Sequence, residues 1–244
     1  MRILALDTTE SSLSLAFDDG KEVRGFERSF LKPHDETLFP QASALLARGG
    51  LDLRAVSGIA ASSGPGRFTG IRVGLTFAAV LGKTLRAPVA ALTKFEALAW
   101  RLSGEPRPGK TARAFGVFSA QVGLLSRSPR GVARRGGMAQ ESEYYLQELR
   151  IGKNKVQTEG KPFWVKADEG GCNGLRERLR SRLLCGPGAQ SLAGLLGLGV
   201  WEVEASLGEV RAKDLLGPAR ARLSQGGSVL RPLYLKPARF EKPK

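Results

Sequence analysis

Gly64-Pro65-Gly66-Arg67-Phe68-Thr69-Gly70-Ile71-Arg72-Val73-Gly74 decides how this chain is read. It follows a short apolar run, Val56 to Ala61, with the character of a buried strand. Gly64 and Gly66 flank Pro65, so the backbone can turn where only glycine tolerates positive φ. Thr69 is the predicted N-cap. The helix it opens, Gly70 to Leu85, is apolar nearly all round, interrupted only by Arg72, Thr76, Lys83 and Thr84. Such a helix is covered on more than one side, and it falls short of the about 20 apolar residues a bilayer span needs. Gly70, Gly74, Ala78 and Gly82 recur every fourth residue and form one ridge. Interior glycine costs a helix about 1 kcal/mol relative to alanine, so something must pack close to the backbone there. Periodicity alone leaves two candidates, the chain's own sheet and a partner helix.

Working outward, residues 2–7 read as a strand, and Ser12 to Phe17 alternates as a half-buried one. Asp18-Asp19-Gly20-Lys21 turns the chain back into a third strand, Glu22 to Ser29. Residues 35–48 switch to helical spacing. Pro88 to Leu92 is a short strand, and Thr93-Lys94-Phe95-Glu96 is a capping box that opens another helix. The order β-β-β-α-β-α-β-α predicts an α/β layer with an antiparallel hairpin edge. Residues 105–110 read as a linker. Beyond it, Arg113 to Ser119, Tyr144 to Ile151 and Lys153 to Thr158 are strand candidates, and Asn173 to Leu183 is a basic helix. Leu183 to Cys185 runs through Gly186-Pro187-Gly188 into a short helix, and residues 207–224 are helical with a break expected near Pro218. This half reads as a partly degraded second copy of the first topology. Residues 120–140 have no clear period and read as a basic, poorly ordered loop. Arg231-Pro232-Leu233-Tyr234-Leu235 has the anchors of a docked tail.

The charge is lopsided. Residues 1–100 carry 12 Lys and Arg against 10 Asp and Glu, whereas residues 101–244 carry 26 against 13. A basic field of that kind favours a polyanion such as nucleic acid, though few aromatics lie among the basic residues to stack bases. Cys172 and Cys185 are too few for a disulfide framework. His34 is the single histidine, so no His-Glu-x-x-His protease site can form. Asp7 meets the chain too early for a secretory leader. These features predict a cytoplasmic protein with no membrane contact.

Three features together resemble one family: Ile3-Leu4-Ala5-Leu6-Asp7-Thr8-Thr9 with its hairpin, the Gly64 to Gly74 run, and Leu230-Arg231-Pro232-Leu233-Tyr234-Leu235. The chain resembles the bacterial TsaB family, partner subunits in the synthesis of threonylcarbamoyladenosine (t6A) on tRNA. The resemblance is strong over residues 1–100 and weaker beyond. It implies an ASKHA (actin-like ATPase) fold of two ribonuclease-H-like domains, here expected at 1–105 and at 106–244 with the docked tail. It implies a subunit that is not itself catalytic and has no protease activity. Its partners would be a TsaD-like catalytic subunit, a TsaE-like ATPase, a second copy of itself and, through the complex, tRNA. TsaD then transfers a threonylcarbamoyl group to N6 of adenosine 37 in tRNAs that read ANN codons. No cofactor is expected on this chain; ATP and metal belong to the TsaD and TsaE partners. The family's dimer contact falls on the Gly64-run helix, which makes Phe68, Gly70, Ile71, Gly74, Leu75, Ala78 and Gly82 the candidate interface. The Asp-Ala-Arg step usual on an early strand of the family's second domain is replaced by Ala139-Gln140-Glu141.

Asp7 is where an active ASKHA enzyme keeps the acid beside its metal-bound phosphate. Such enzymes follow it with glycine, so that the backbone can approach the phosphate. Here Thr8-Thr9-Glu10 follows, and Asp7 reads better as a turn cap. Asp7, Thr8, Gly186 and Gly188 are kept as weak candidate contacts to nucleotide or phosphate. One histidine cannot supply the paired imidazoles that hold metal in TsaD-like subunits. Two alternatives to a partner subunit remain: a stand-alone ASKHA phosphotransferase or ATPase using Asp7, and a basic RNA-binding module.

Overall fold

A computed structural model describes residues 1–29, 34–104, 112–119, 142–152, 155–167, 173–180, 182–198, 203–204 and 208–236. The expected linker at 105–110, the loop at 120–140, the Ala139 to Glu141 step and Cys172 lie outside the described residues.

Among the described residues, two separate five-stranded sheets form. The first contains β1 (Ile3–Asp7), β2 (Ser12–Asp18), β3 (Val23–Ser29), β4 (Gly58–Ser62) and β5 (Val89–Leu92), in the order β3-β2-β1-β4-β5. β1 pairs antiparallel with β2 and parallel with β4, so the hairpin edge and the parallel remainder are both present. Every residue of β1 is buried, because helices cover both faces. Leu4 and Leu6 face α1 (His34–Ala47) and α2 (Phe68–Leu85). Ile3 and Ala5 face the core built by α3 (Lys94–Ser103) and α6 (Ala212–Ser224).

The second sheet runs β10-β9-β6-β7-β8 and comprises β6 (Ala112–Ser119), β7 (Ser142–Ile151), β8 (Val156–Ala167), β9 (Leu183–Cys185) and β10 (Val203–Glu204). One face, with Phe115, Val117 and Leu146, packs on α4 (Asn173–Leu179) and α5 (Ala189–Leu196). The other, with Ala114, Phe118 and Leu149, joins the core that holds α3 and α6. The repeated antiparallel-then-parallel order and the two helix-flanked sheets make this an ASKHA-type, actin-like architecture of two ribonuclease-H-like units.

Two elements, α6 and β8, differ from the sequence expectation. Residues 212–224, expected in the second domain, pack on the first sheet: Ala212 N–H donates to Ser14 Oγ at 3.0 Å, and Arg222 donates to Ala91 O at 2.8 Å. The apolar stripe Leu215, Leu216, Ala219 and Leu223 supplies the reason, since it covers the open face of β1 and β4. Pro218 does not break this helix, which continues to Ser224. β8 reaches Ala167, well past Thr158; Gly160 and Pro162 disguise its second half, and its pairing with β7 carries it through.

The tail is docked as expected. Ser228 N–H donates to Val89 O and Leu233 N–H to Ser63 O, both at 2.8 Å. Leu233 and Leu235 rest on the shared core, and Tyr234 lies against Phe68 with ring centroids 4.7 Å apart.

Candidate functional site

Two places gather the residues singled out by sequence. The first is the corner where β1 ends. Asp7 is buried, and one carboxylate oxygen accepts both the Thr9 N–H at 2.8 Å and the Thr9 hydroxyl at 2.7 Å. That is the turn-cap geometry. Thr8 Oγ1 donates to Gly70 O at 2.7 Å, which ties the turn to the start of α2. Gly64 and Gly66 adopt φ of +105° and +156°, so the glycines of the loop are used as the sequence requires. Arg67 N–H donates to Thr9 O at 2.8 Å, and a Cβ on Gly66 would lie 2.6 Å from Thr9. The two loops that would cradle a phosphate are therefore packed against each other.

Lys94 completes this corner. It is the first residue of α3, opened by the Thr93–Glu96 capping box, and its side chain is fully buried. Its ammonium pairs with Glu10, and the ring of Phe118 on the second sheet lies 5.8 Å away. Burial pulls the Lys94 pKa down, but Asp7, Glu10 and Glu209 together outweigh it and hold the ammonium above its ordinary value. Burial, with added repulsion from Asp7 and Glu209, pushes the Glu10 carboxyl up against the pull of Lys94. Tyr145, on β7 of the second sheet, is pushed up by burial and then by Glu143 and Glu10. The corner thus holds more carboxylates than ammonium groups, and both partners of the ion pair bind their protons more tightly.

The ASKHA fold implies a nucleotide with its metal between the two units. The residues present do not fit that group. Threonine side chains stand where backbone should meet phosphate, and a lysine ammonium sits against the acids. Among the described residues, no three His, Cys, Asp or Glu side chains come together as a metal site. Gly186 and Gly188 are equally occupied with their own chain: added Cβ atoms would lie 2.8 Å from Val117 O and 2.9 Å from Ser119 N. The four weak phosphate candidates therefore divide into two internal turns rather than one open cradle.

The second place is α2. Its N-cap is Arg67 rather than Thr69, so the helix begins two residues earlier than expected. The small-residue ridge is not a partner surface. A Cβ on Gly70 would fall 2.0 Å from Thr8 O, on Gly74 2.4 Å from Thr8 Oγ1, and on Gly82 2.3 Å from Val89. Ile71, Leu75 and Ala78 are buried in the core with them. Of the seven interface candidates only Phe68 is exposed. By length and composition α2 could cross a membrane, yet its glycine ridge is closed onto β1 and β5.

The opposite face of α2 is what sequence reasoning missed. Arg72, Val73, Thr76, Phe77 and Val80 line an open groove of about 520 Å³ with Leu38 of α1. Val80 is 61% exposed, Phe39 on the neighbouring helix 56% and Phe68 52%. Arg72 lies 4.8 Å over the Phe68 ring, which extends the patch toward Tyr234. The signal was present, since a helix with no polar face has apolar residues to spare once one ridge is covered.

Comparison with known proteins follows this division. Residues 29–114 match the family model of TsaD, tRNA N6-adenosine threonylcarbamoyltransferase. The tRNA threonylcarbamoyladenosine biosynthesis protein TsaB of Escherichia coli is 32% identical over 111 residues, 44% of this chain and 48% of that protein. The Bacillus subtilis protein of the same name is 33% identical over 100 residues, 41% of this chain and 44% of its own length. The matched stretch thus spans about half the length of these relatives. Two solved structures extend the likeness to the whole chain. A Pseudomonas aeruginosa protein described as similar to peptidase YeaZ aligns with TM-score 0.67 and 23% identity, covering 96% of this chain and 99% of its own. YeaZ from Pseudomonas aeruginosa aligns with TM-score 0.64 and 23% identity, covering 92% and 93%. The sequence of its first unit is thus similar to TsaB proteins, and the fold of the whole chain is that of the YeaZ structures.

Proposed function

We propose that this protein is a non-catalytic partner subunit of a t6A-forming complex, in which a TsaD-like subunit performs the transfer. One observation carries the reading: the outer face of α2, with Val73, Phe77 and Val80 beside Phe39 of α1, is an apolar surface left uncovered among the described residues. A patch of that kind marks a protein–protein contact, and it lies in the unit that matches TsaB and TsaD proteins. A TsaD-like subunit and a second copy of this chain compete for it, because both would lay a helix along the same groove. The closed corner at Asp7 supports the non-catalytic part of the reading. The exposed basic residues of the second unit, among them Arg150, Lys161, Lys166, Arg176 and Arg180, suit a tRNA reached through the complex. A TsaE-like ATPase would join the assembled pair and bring the nucleotide chemistry.

The test is to purify the chain with the TsaD-like subunit of the same organism. Size-exclusion chromatography with light scattering should give a homodimer alone and a stoichiometric pair on mixing. Val80→Glu should leave the melting temperature close to wild type, because the residue faces solvent, and should abolish both species. A Val80→Glu protein that still pairs normally would place the contact elsewhere.

A further inference from the structure

We propose that Lys94 is a built-in cation, which takes the place that a metal-bound nucleotide holds in an active ASKHA protein and ties the two units together with no ligand. The inference is independent of the partner reading above. Its first support is the oddity of the residue. A lysine in the first turn of a helix opposes the helix dipole, and a fully buried ammonium is unfavourable unless it is paired. Lys94 is both, the first residue of α3 and completely buried. Surface packing would leave the ammonium at the water.

The second support is what the ammonium meets. It pairs with Glu10 of the β1–β2 turn, in the field of buried Asp7 at the end of β1. These are the acids at the corner where a metal-bound phosphate would stand. The third is that the cluster reaches the second sheet. Phe118 of β6 lies with its ring 5.8 Å from the ammonium and 5.1 Å, edge to face, from Phe95. Lys94 N–H also donates to Gly64 O at 2.7 Å, which fixes the first turn of α3 to the glycine loop. The Lys94 side chain thus joins the β1 corner to the second sheet, and its backbone N–H adds the glycine loop. An external cation would have to displace it. A lysine that served only to pack α3 would need no pair of acids at the head of β1.

The experiment compares wild type with Lys94→Ala, using Mn²⁺ as the probe, read by paramagnetic resonance of free Mn²⁺ and by thermal melting. Wild type should show no saturable binding. Lys94→Ala should melt lower, bind Mn²⁺ at least tenfold more tightly than wild type, and recover part of its melting temperature as the ion binds. Adding Glu10→Gln to the variant should remove that binding. Saturable Mn²⁺ binding by wild type equal to that of the variant would overturn the proposal, because the corner would then have room for an external ion beside Lys94. A folded Lys94→Ala protein without gained affinity would overturn it as well. If Lys94→Ala does not fold, Lys94→Met with Glu10→Gln decides. Recovery of a cooperative melt near wild type supports the charge pairing, since removing both members of a buried pair is often neutral. Failure to recover contradicts it.

Discussion

Gly74 and Lys94 show two ways in which one residue can be misjudged from its type. Glycines at every fourth position of α2 suggested a close approach, and the approach is real, but the approaching group is Thr8 of the same chain, 2.4 Å from an added Cβ on Gly74. Gly74→Leu should therefore lower the unfolding free energy by about 1–3 kcal/mol or more, measured by denaturant titration. The surface change Val80→Glu should stay within about 0.5 kcal/mol. Equal stability of Gly74→Leu and wild type would return the ridge to the surface. Periodicity reports which residues share a face and says nothing of what covers it, which is why the ridge was legible and its partner was not. Asp7 was legible, because Thr8-Thr9 after it excludes the glycine a phosphate needs. Lys94 was not, because lysine is read as a surface residue; the available signal was a cation at the first position of a capped helix, against the dipole. Its raised pKa gives a pH test. A group whose folded pKa lies above its unfolded value contributes stability that is complete below the unfolded value and is lost as pH rises through the folded one. For Lys94 that window opens above its ordinary value of 10.5. The stability gap between wild type and Lys94→Met should be flat from pH 7 to about 9 and should close above about 10.5. A gap that closes below pH 9 would show that the ammonium is not held.

At the scale of elements, α2 and α6 set the organisation. α2 is covered on one side only: one ridge is closed on β1 and β5, and the opposite stripe is open beside α1. Its strand-loop-helix context was readable because the loop needs positive φ at Gly64 and Gly66, and those demands are local. The first sheet was readable for the same reason, since alternation in β2 and the turn at Asp19 fix a hairpin without reference to anything distant. α6 was different. Its apolar stripe could serve either sheet, and the choice is made by Ser14, Ala91 and Glu96, far away in sequence. Arg222 donates to Glu96 at 2.6 Å as well as to Ala91 O, and Glu96 in turn caps α3 through Thr93 N–H at 2.7 Å. A chain ending at Arg211 should therefore lose the cooperative unfolding of the first unit, not only of the second, because Ile3, Ala5 and Ala60 would lose their cover. Circular dichroism melts of that truncation, with protection of β1 amides by hydrogen exchange, check it. Retained protection of β1 would show that the first sheet stands without α6. β8 was legible only in part, because Gly160 and Pro162 mask a strand that its neighbour β7 imposes.

For the whole molecule, the proposed function is assembly on an ASKHA architecture rather than chemistry. The fold retains two units around one shared core. The corner between them is filled by the chain's own Thr8, Glu10 and Lys94, and the apolar surface left over lies on the outside of α2. The second half of the chain carries the basic excess, 26 Lys and Arg against 13 Asp and Glu over residues 101–244. These features are separable by mutation, because the corner is buried while the outer stripe of α2 is exposed. The most direct measurement is reconstitution of t6A on a tRNA transcript that reads an ANN codon. The mixture would hold the TsaD-like and TsaE-like proteins of the same organism, a source of threonylcarbamoyl-adenylate and ATP, with this chain present, absent or carrying Val80→Glu. t6A should form only with the wild-type chain, and product should be lost with a Val80→Glu protein that remains folded. Product formed to the same extent without the chain would contradict the account.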